Sequence, residues 1–434
     1  MSVQHAEQNS YLQSLLSGKT QTTSGKPAWL NVLRSSAVET VSQLTIPTTR
    51  DEEWRFTDIS MLTKTAFQSA QSSASIRKAD IQRFVVKEAA SRLVFVDGIY
   101  APHLSSVKDG NIFISTLADE LDAQSPLLQQ HLARQVKLGG NVFATLNTAN
   151  LRDAALVMLP ENTQAKTPVH LLFVATQKEA ASHPRTLVLA DNGSVATIIE
   201  DYVSLQDETY FTNAVTEFVL ADNAHIHHVR IQREGGKAFH IANCSATLSR
   251  HSNYQSVSIT LGARISRYNL NVKLAEGAEC SADGLAIIDG RQLADTHTCI
   301  EHAQPHAVSR QLHKCILGGG AHGVFNGKIM VNENCHHTDS EQSNHTLLLT
   351  DKAHVDTKPQ LEIFNDDVKC THGATVGQLN LDEVFYLQSR GIPLVQARNM
   401  LTYAFGAEII ERIPVASLKH SLEQTVMEQT SIQR

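Results

Sequence analysis

Cysteine is missing from the first 243 residues of this 434-residue chain, and nowhere do two cysteines form a C-x-x-C pair. The six present, Cys244, Cys280, Cys299, Cys315, Cys335 and Cys370, are scattered. That scatter excludes a disulfide-stapled fold and a closed thiolate zinc cage, and points to reduced thiols. No apolar run approaches the roughly 20 residues a bilayer span needs, so no membrane partner is expected. The opening MSVQHAEQNSYLQSLLSGK lacks a basic stretch followed by an apolar one, and lacks the Arg-rich, acid-poor character of a transit peptide. A soluble, cytoplasmic protein is the expectation. There is no basic stripe with interleaved aromatics, and 37 basic against 44 acidic residues leave a net charge of −7, which disfavours a nucleic-acid partner. G-x-S-x-G, H-E-x-x-H and dinucleotide fingerprints are also missing. Gly18-Lys19-Thr20 ends like a phosphate loop, but Gln13 stands where its first glycine is required, so no nucleotide is expected on this chain.

What is present divides the chain into three. Residues 1–152 form a mixed, mostly helical region: Tyr11, Leu12, Leu15 and Leu16 make one apolar face, and Trp29, Leu30, Leu33, Val38 and Val41 another, separated by a loop at Ser24–Pro27. The charged aromatic segment RDEEWRFTDISML (50–62) offers Trp54 and Phe56 as docking anchors. QSAQSSAS (68–75) has little to bury and reads as an exposed linker. Leu93–Ile99 predicts a strand entering a turn at Asp97-Gly98, with 112–114 as its expected partner, and 119–150 returns to helix.

Residues 153–370 are one short β run after another. A phrase of leucine, turn and small residue recurs, starting at Leu189, Leu220, Leu274, Leu317 and Leu349. Self-similarity at tens of residues, built from short strands and Gly/Asn/Asp turns, predicts a mainly β fold with a stacked β-solenoid core. A β-sandwich is the rival. The open ends of a solenoid template association, so self-association of the isolated chain is expected. Residues 371–434 turn helical: one helix starts near Asp382 and stops at Gly391-Ile392-Pro393, and a second begins at Leu394.

Of 21 histidines, 15 lie between His225 and His372, together with all six cysteines. Imidazole and thiolate are the ligands of zinc, copper and iron, including iron in iron–sulfur clusters. Adjacent pairs such as His227-His228 and His336-His337 point to opposite faces of a strand and cannot share a site. Cys370 and His372 differ, because residues i and i+2 of a strand share one face. Two ligands are half a tetrahedral site, so the rest must come from elsewhere in the fold or from a second chain. An independent metal-binding enzyme, or a carbohydrate-active β-helix using Asp366-Asp367, is the alternative class; adjacent acids in a strand diverge, which weighs against the latter.

KCTHGATVG (369–377), DEVFYLQSRGI (382–392) and Ala404-Phe405 with Glu408 resemble the C-terminal signature of the SufD family of the SUF iron–sulfur cluster assembly machinery. FNGKI (325–329) and HTDSEQSNHTLLL (337–349) are similar to the same family, and EWRFT (53–57) matches more weakly. The paralogous SufB segment usually carries Glu-Ala-Thr after its histidine and a cysteine in the following helix, where this chain has Gly373-Ala374-Thr375 and Leu387. The resemblance implies a right-handed parallel β-helix between helical flanks, and a non-catalytic scaffold pairing with SufB through the ends of the two β-helices. It implies docking of the SufC ATPase on the C-terminal helical region, where Asp382, Phe385, Tyr386, Arg390 and Phe405 stand. A transient iron–sulfur cluster, with its iron, would form at the SufB interface beside His372, on which the family's important histidine falls, with Cys370 its neighbour. Reduced flavin (FADH2) is associated with such complexes, and no residue here locates it. A chain that only holds SufC, leaving all cluster chemistry to SufB, is the blander form of this reading.

Overall fold

Parallel strands in two sheets build the middle of the chain. The computed structural model describes residues 3–16, 27–71, 76–108, 110–136 and 138–431, so the Gly18-Lys19-Thr20 reading, the loop up to Lys26 and residues 72–75 of the linker lie outside the described residues. One sheet stacks Phe211–Leu220, Phe239–Leu248, Ile265–Leu274, Leu293–His302, His322–Val331 and His354–Ile363. The other stacks Val195–Ser204, His225–Arg233, Asn253–Thr260, Glu279–Ile288, Val308–Leu317, Thr338–Leu348 and Val368–Gly377. Each strand pairs with the strand after next, so one coil contributes one strand to each sheet: this is the expected β-solenoid. The sandwich alternative fails because these pairings are parallel and in register from coil to coil.

A coil takes 26 residues where Phe239 pairs with Ile265, and 32 where His322 pairs with His354. That variation explains the uneven leucine phrase. Leu220, Leu248 and Leu274 are register partners at the end of successive strands, so the phrase skips a coil at Leu248. Leu317 closes a strand of the opposite sheet.

Alternating side chains give each sheet an inner and an outer face. The inner faces meet in a lumen filled by residues such as Phe218, Leu220, Tyr254, Leu270 and Ile300. The N-terminal helices lie on the outer face of the first sheet, where Leu12, Val41, Trp54 and Phe143 bury Phe211, Phe239 and Ile265. Trp54 is a true anchor: the Arg267 guanidinium lies 3.9 Å above its ring, and Arg267 pairs with buried Asp295 at 2.6 Å. A desolvated cation–π contact contributes about 2 kcal/mol. Phe56 is only half-buried. The C-terminal helices cover the outer face of the second sheet, where Ile409, Ile413, Leu418 and Leu422 pack on Ile231, Ile259, Leu285 and Ile316. No helix among the described residues is long and apolar enough to cross a membrane.

The N-terminal region also contributes strands that cover the first coil. Ser91–Val96 pairs parallel with Val169–Ala175, and Ile99–Tyr100 folds back on it. Residues 112–114 do not pair with that strand as expected. Instead Phe113–Thr116 lies antiparallel to Ala155–Leu159 in the other sheet, because the Asp97-Gly98 turn brings Ile99 back onto Val96 and occupies that edge. The C-terminal helices run Leu381–Ser389, Leu394–Ile410 and Ala416–Ser431, one more than the sequence suggested. The last strand, Val368–Gly377, runs through the expected boundary at 370/371.

Candidate functional site

His354–Ile363 and Val368–Gly377 are the terminal strands of the two sheets, and among the described residues neither is paired on its outer edge. Each is 10 residues long, so two rows of unpaired backbone donors and acceptors face outward side by side. Such edges template strand addition unless covered, and the helical flanks leave them bare. The exposure of nearly all of Val368–Gly377 follows directly.

Register fixes what this end presents. Cys370 pairs with Ser340, His372 with Gln342, Ala374 with Asn344 and Val376 with Thr346. Those four partners are buried in the lumen, so Cys370 and His372 project from the same inward column, one coil further out. The spacing argument for their shared face agrees with this geometry. Cys370 is half-buried and packs with Ile329, Val331, Cys335, Leu361 and Val368. Burial pushes its thiol up, the nearby Asp339 carboxylate adds to this, and the Ser340 backbone partly offsets it. His372 is exposed, and its strand is tied back through His345 Nδ1 and Thr375 Oγ1 at 2.6 Å. Among the described residues no group of three or more His, Cys, Asp or Glu side chains is placed to hold a metal ion. The register puts the Cys370 thiol and the His372 imidazole on one face, and among the described residues no third such side chain joins them.

Several other histidines and cysteines are buried in contacts of the fold. His228 bridges Glu200 and Tyr254 inside the lumen, at 3.0 and 2.8 Å. His297 lies between Asp295 and Glu53, at 3.0 and 3.3 Å; burial opposes its protonation, yet the two carboxylates raise its pKa above the ordinary value. Cys244, Cys280, Cys315 and Cys335 are buried free thiols, and burial pushes those of Cys244 and Cys315 up to about 12. His336 and His337 occupy a turn, where the strand-alternation argument does not apply. Asp366 and Asp367 sit in an exposed turn, with Asp367 paired to His337 at 3.2 Å, which does not resemble facing glycosidase carboxylates across a cleft. These networks were invisible in sequence because each joins residues in different coils or segments.

Beside the open end stands a second feature. The Leu381–Ser389 helix is capped by the Asn380 side chain, which accepts from the Asp382 amide, and it carries the acids Asp382 and Glu383 in its positive first turn. Val384 is its buried residue, while Leu381, Phe385 and Tyr386 are 79%, 71% and 57% exposed. Arg390 lies over the Tyr386 ring at 5.4 Å. Leu394, Val395 and Met400 of the next helix extend this apolar surface. Phe405 departs from the set: it is half-buried against the solenoid, with Lys314 Nζ 4.8 Å above its ring. The helical arm is latched to the second sheet by Lys314–Glu408 and Arg412–Asp283, both at 2.6 Å.

The fold is thus a β-solenoid with one end covered, one end bare with Cys370 and His372 upon it, and an exposed apolar helix alongside. Two family models match the chain: the SufBD core domain of SUF system FeS cluster assembly over residues 173–405, and the SufBD protein N-terminal region over 5–171. The chain belongs to the SufBD family of the SUF iron–sulfur cluster assembly system. It is 40% identical over 407 residues to an iron-sulfur cluster assembly SufBD family protein of Synechocystis, covering 91% of this chain and 89% of the relative. It is 33% identical over 382 residues to the iron-sulfur cluster assembly protein SufD of Escherichia coli, with 87% and 88% covered. The SufD of Bacillus subtilis is 25% identical over 413 residues, with 92% and 94% covered.

Proposed function

We propose that this chain is a non-catalytic scaffold subunit that completes a nascent-cluster site only when its open end pairs with a SufB-type partner. One observation carries the reading: the bare terminal strands of both sheets meet at the end where Cys370 and His372 share a face. Iron and sulfide are the cargo there. A mixed imidazole and thiolate set divided between two chains releases its load more readily than four thiolates in one cage, because separating the chains removes ligands. Cys370 is the poorer donor chemically, since its thiol must first lose a proton that burial helps it keep.

The apolar arm at Leu381, Phe385, Tyr386 and Leu394 is the docking surface for a SufC-type ATPase, with Asp382 and Arg390 at its rim. Movement of that arm reaches the solenoid through Lys314–Glu408 and Arg412–Asp283. Lys314 pairs in register with His345, and His345 with Thr375 of the strand that bears His372.

Iron and sulfide analysis of the pure chain and of the three-component complex tests the reading. The complex alone is expected to hold cluster after reconstitution. A stoichiometric metal site on the isolated chain, with turnover of a substrate, would establish an independent metalloenzyme instead.

A further inference from the structure

The lumen contains a run of side chains reaching from one sheet toward the other, and one of them lacks its partner. In the Val308–Leu317 coil, Gln311 Oε1 accepts from Thr298 Oγ1 across the lumen at 2.7 Å. One coil outward, Gln342 occupies the place of Gln311, and Gly327 the place of Thr298. Gly327 offers no hydroxyl. The Gln342 carboxamide fills the gap instead: a Cβ on Gly327 would lie 2.3 Å from Gln342 Nε2. Gln342 is 0% exposed, and both its amide nitrogen and its amide oxygen are without a hydrogen-bond partner. A buried, unpartnered carboxamide is costly unless something polar, protein or water, meets it. The next residue in its column is His372, with Pro359 in the place of Gly327 on the facing strand.

The geometry points to Gln342 as a positioning residue for His372: its carboxamide, held across the lumen by the gap at Gly327, orients the imidazole from beneath through a bridging water. A water needs two or more polar partners, and two further unpartnered atoms flank the place: Asn344 Oδ1 on the strand of Gln342 and Thr357 Oγ1 on the facing strand one coil outward. Groups that fix one imidazole nitrogen leave the other free in a set direction for a metal. A plain lumen-filling role would call for the threonine found one coil back, which meets its glutamine's Oε1 and leaves only Nε2 without a partner, whereas both amide atoms of Gln342 are left without one. This inference rests on the reading of His372 as a cluster ligand, and the nitrogen shifts that decide it are read without cluster yield.

The experiment uses the full chain labelled with 15N-histidine, with His372→Ala identifying the resonance. One imidazole tautomer of His372 is expected to dominate in the wild type. Gln342→Leu, which removes an unsatisfied buried amide, is expected to keep or raise the melting temperature and to lose that preference. Gly327→Ala, which displaces the amide without altering it, is expected to lose it as well. In the assembled complex, Gln342→Leu is expected to lower cluster yield about 10-fold or more, the scale on which groups orienting metal ligands act. Unchanged His372 nitrogen shifts in a folded Gln342→Leu chain would overturn the assignment. Normal cluster yield from His372→Ala would instead remove the reading beneath it, leaving the tautomer result to stand alone.

Discussion

Gln342 and His372 are register partners in adjacent strands, yet Gln342 is fully buried and His372 is exposed. The change occurs in one step because the solenoid stops there without a cap. An interior column of side chains thereby becomes a surface.

A charge placed on the bare end should block pairing without unfolding the chain. Val376 stands on the last strand in the same column as His372 and is 50% exposed at the bare end, so Val376→Asp is expected to leave the melting temperature of the isolated chain nearly unchanged. Docking would bury that carboxylate unpaired, at a cost of about 3–5 kcal/mol, more than a hundredfold in affinity. Copurification with the SufB-type partner measures the loss. Retained pairing would place the interface elsewhere.

Phe385→Ala and Tyr386→Ala should separate ATPase docking from folding. Both side chains are largely exposed, and stability is expected to change by less than about 0.5 kcal/mol. Aromatic anchors at interfaces each contribute about 2 kcal/mol or more, so calorimetric titration of the ATPase subunit should show at least a thirtyfold weaker complex. Phe405→Ala is expected to destabilise the chain itself, since this ring packs against the solenoid.

Thiol reactivity should follow burial. Cys299 and Cys370 are the half-buried cysteines, so brief alkylation of the native chain, read by mass spectrometry, is expected to label these two ahead of Cys244, Cys280, Cys315 and Cys335. Pairing at the open end should protect Cys370 and leave Cys299 reactive. Equal protection of both would contradict that placement.

His297 gives the fold a pH dependence of definite sign. Its folded pKa is raised above the unfolded value of 6.5 by Asp295 and Glu53, against the effect of burial. Its contribution is fully present below that unfolded value and is lost as pH rises through the folded one. Urea unfolding is therefore expected to show falling stability as pH rises through this window, with the slope reduced in His297→Gln. Asp295 and Glu53 are held below their ordinary values, so their contributions are lost at the acid end instead.

Much of this architecture was legible in the chain. Two hundred residues of short β runs gave the solenoid, and the i, i+2 rule put Cys370 and His372 on one face. The phrase at Leu220 and Leu274 marked two positions of one register column, although Leu248, which pairs with both, is followed by Ser249 and escaped the pattern. Trp54 was identifiable as an anchor, but its partners Arg267 and Asp295 were not, because sequence distance says nothing about which coils lie beneath a helix. The Gln311–Thr298 crossing and its interruption at Gly327 were equally hidden, since they depend on which residues face each other across the lumen.

The account rests on His372 as part of a site completed by another chain, and one substitution tests this most directly. His372→Ala is expected to fold, to copurify with the SufB-type and SufC-type partners at wild-type stoichiometry, and to yield no iron–sulfur cluster when the complex is reconstituted with iron and sulfide. Wild-type cluster content in that intact mutant complex would contradict the account and leave this chain an architectural support alone.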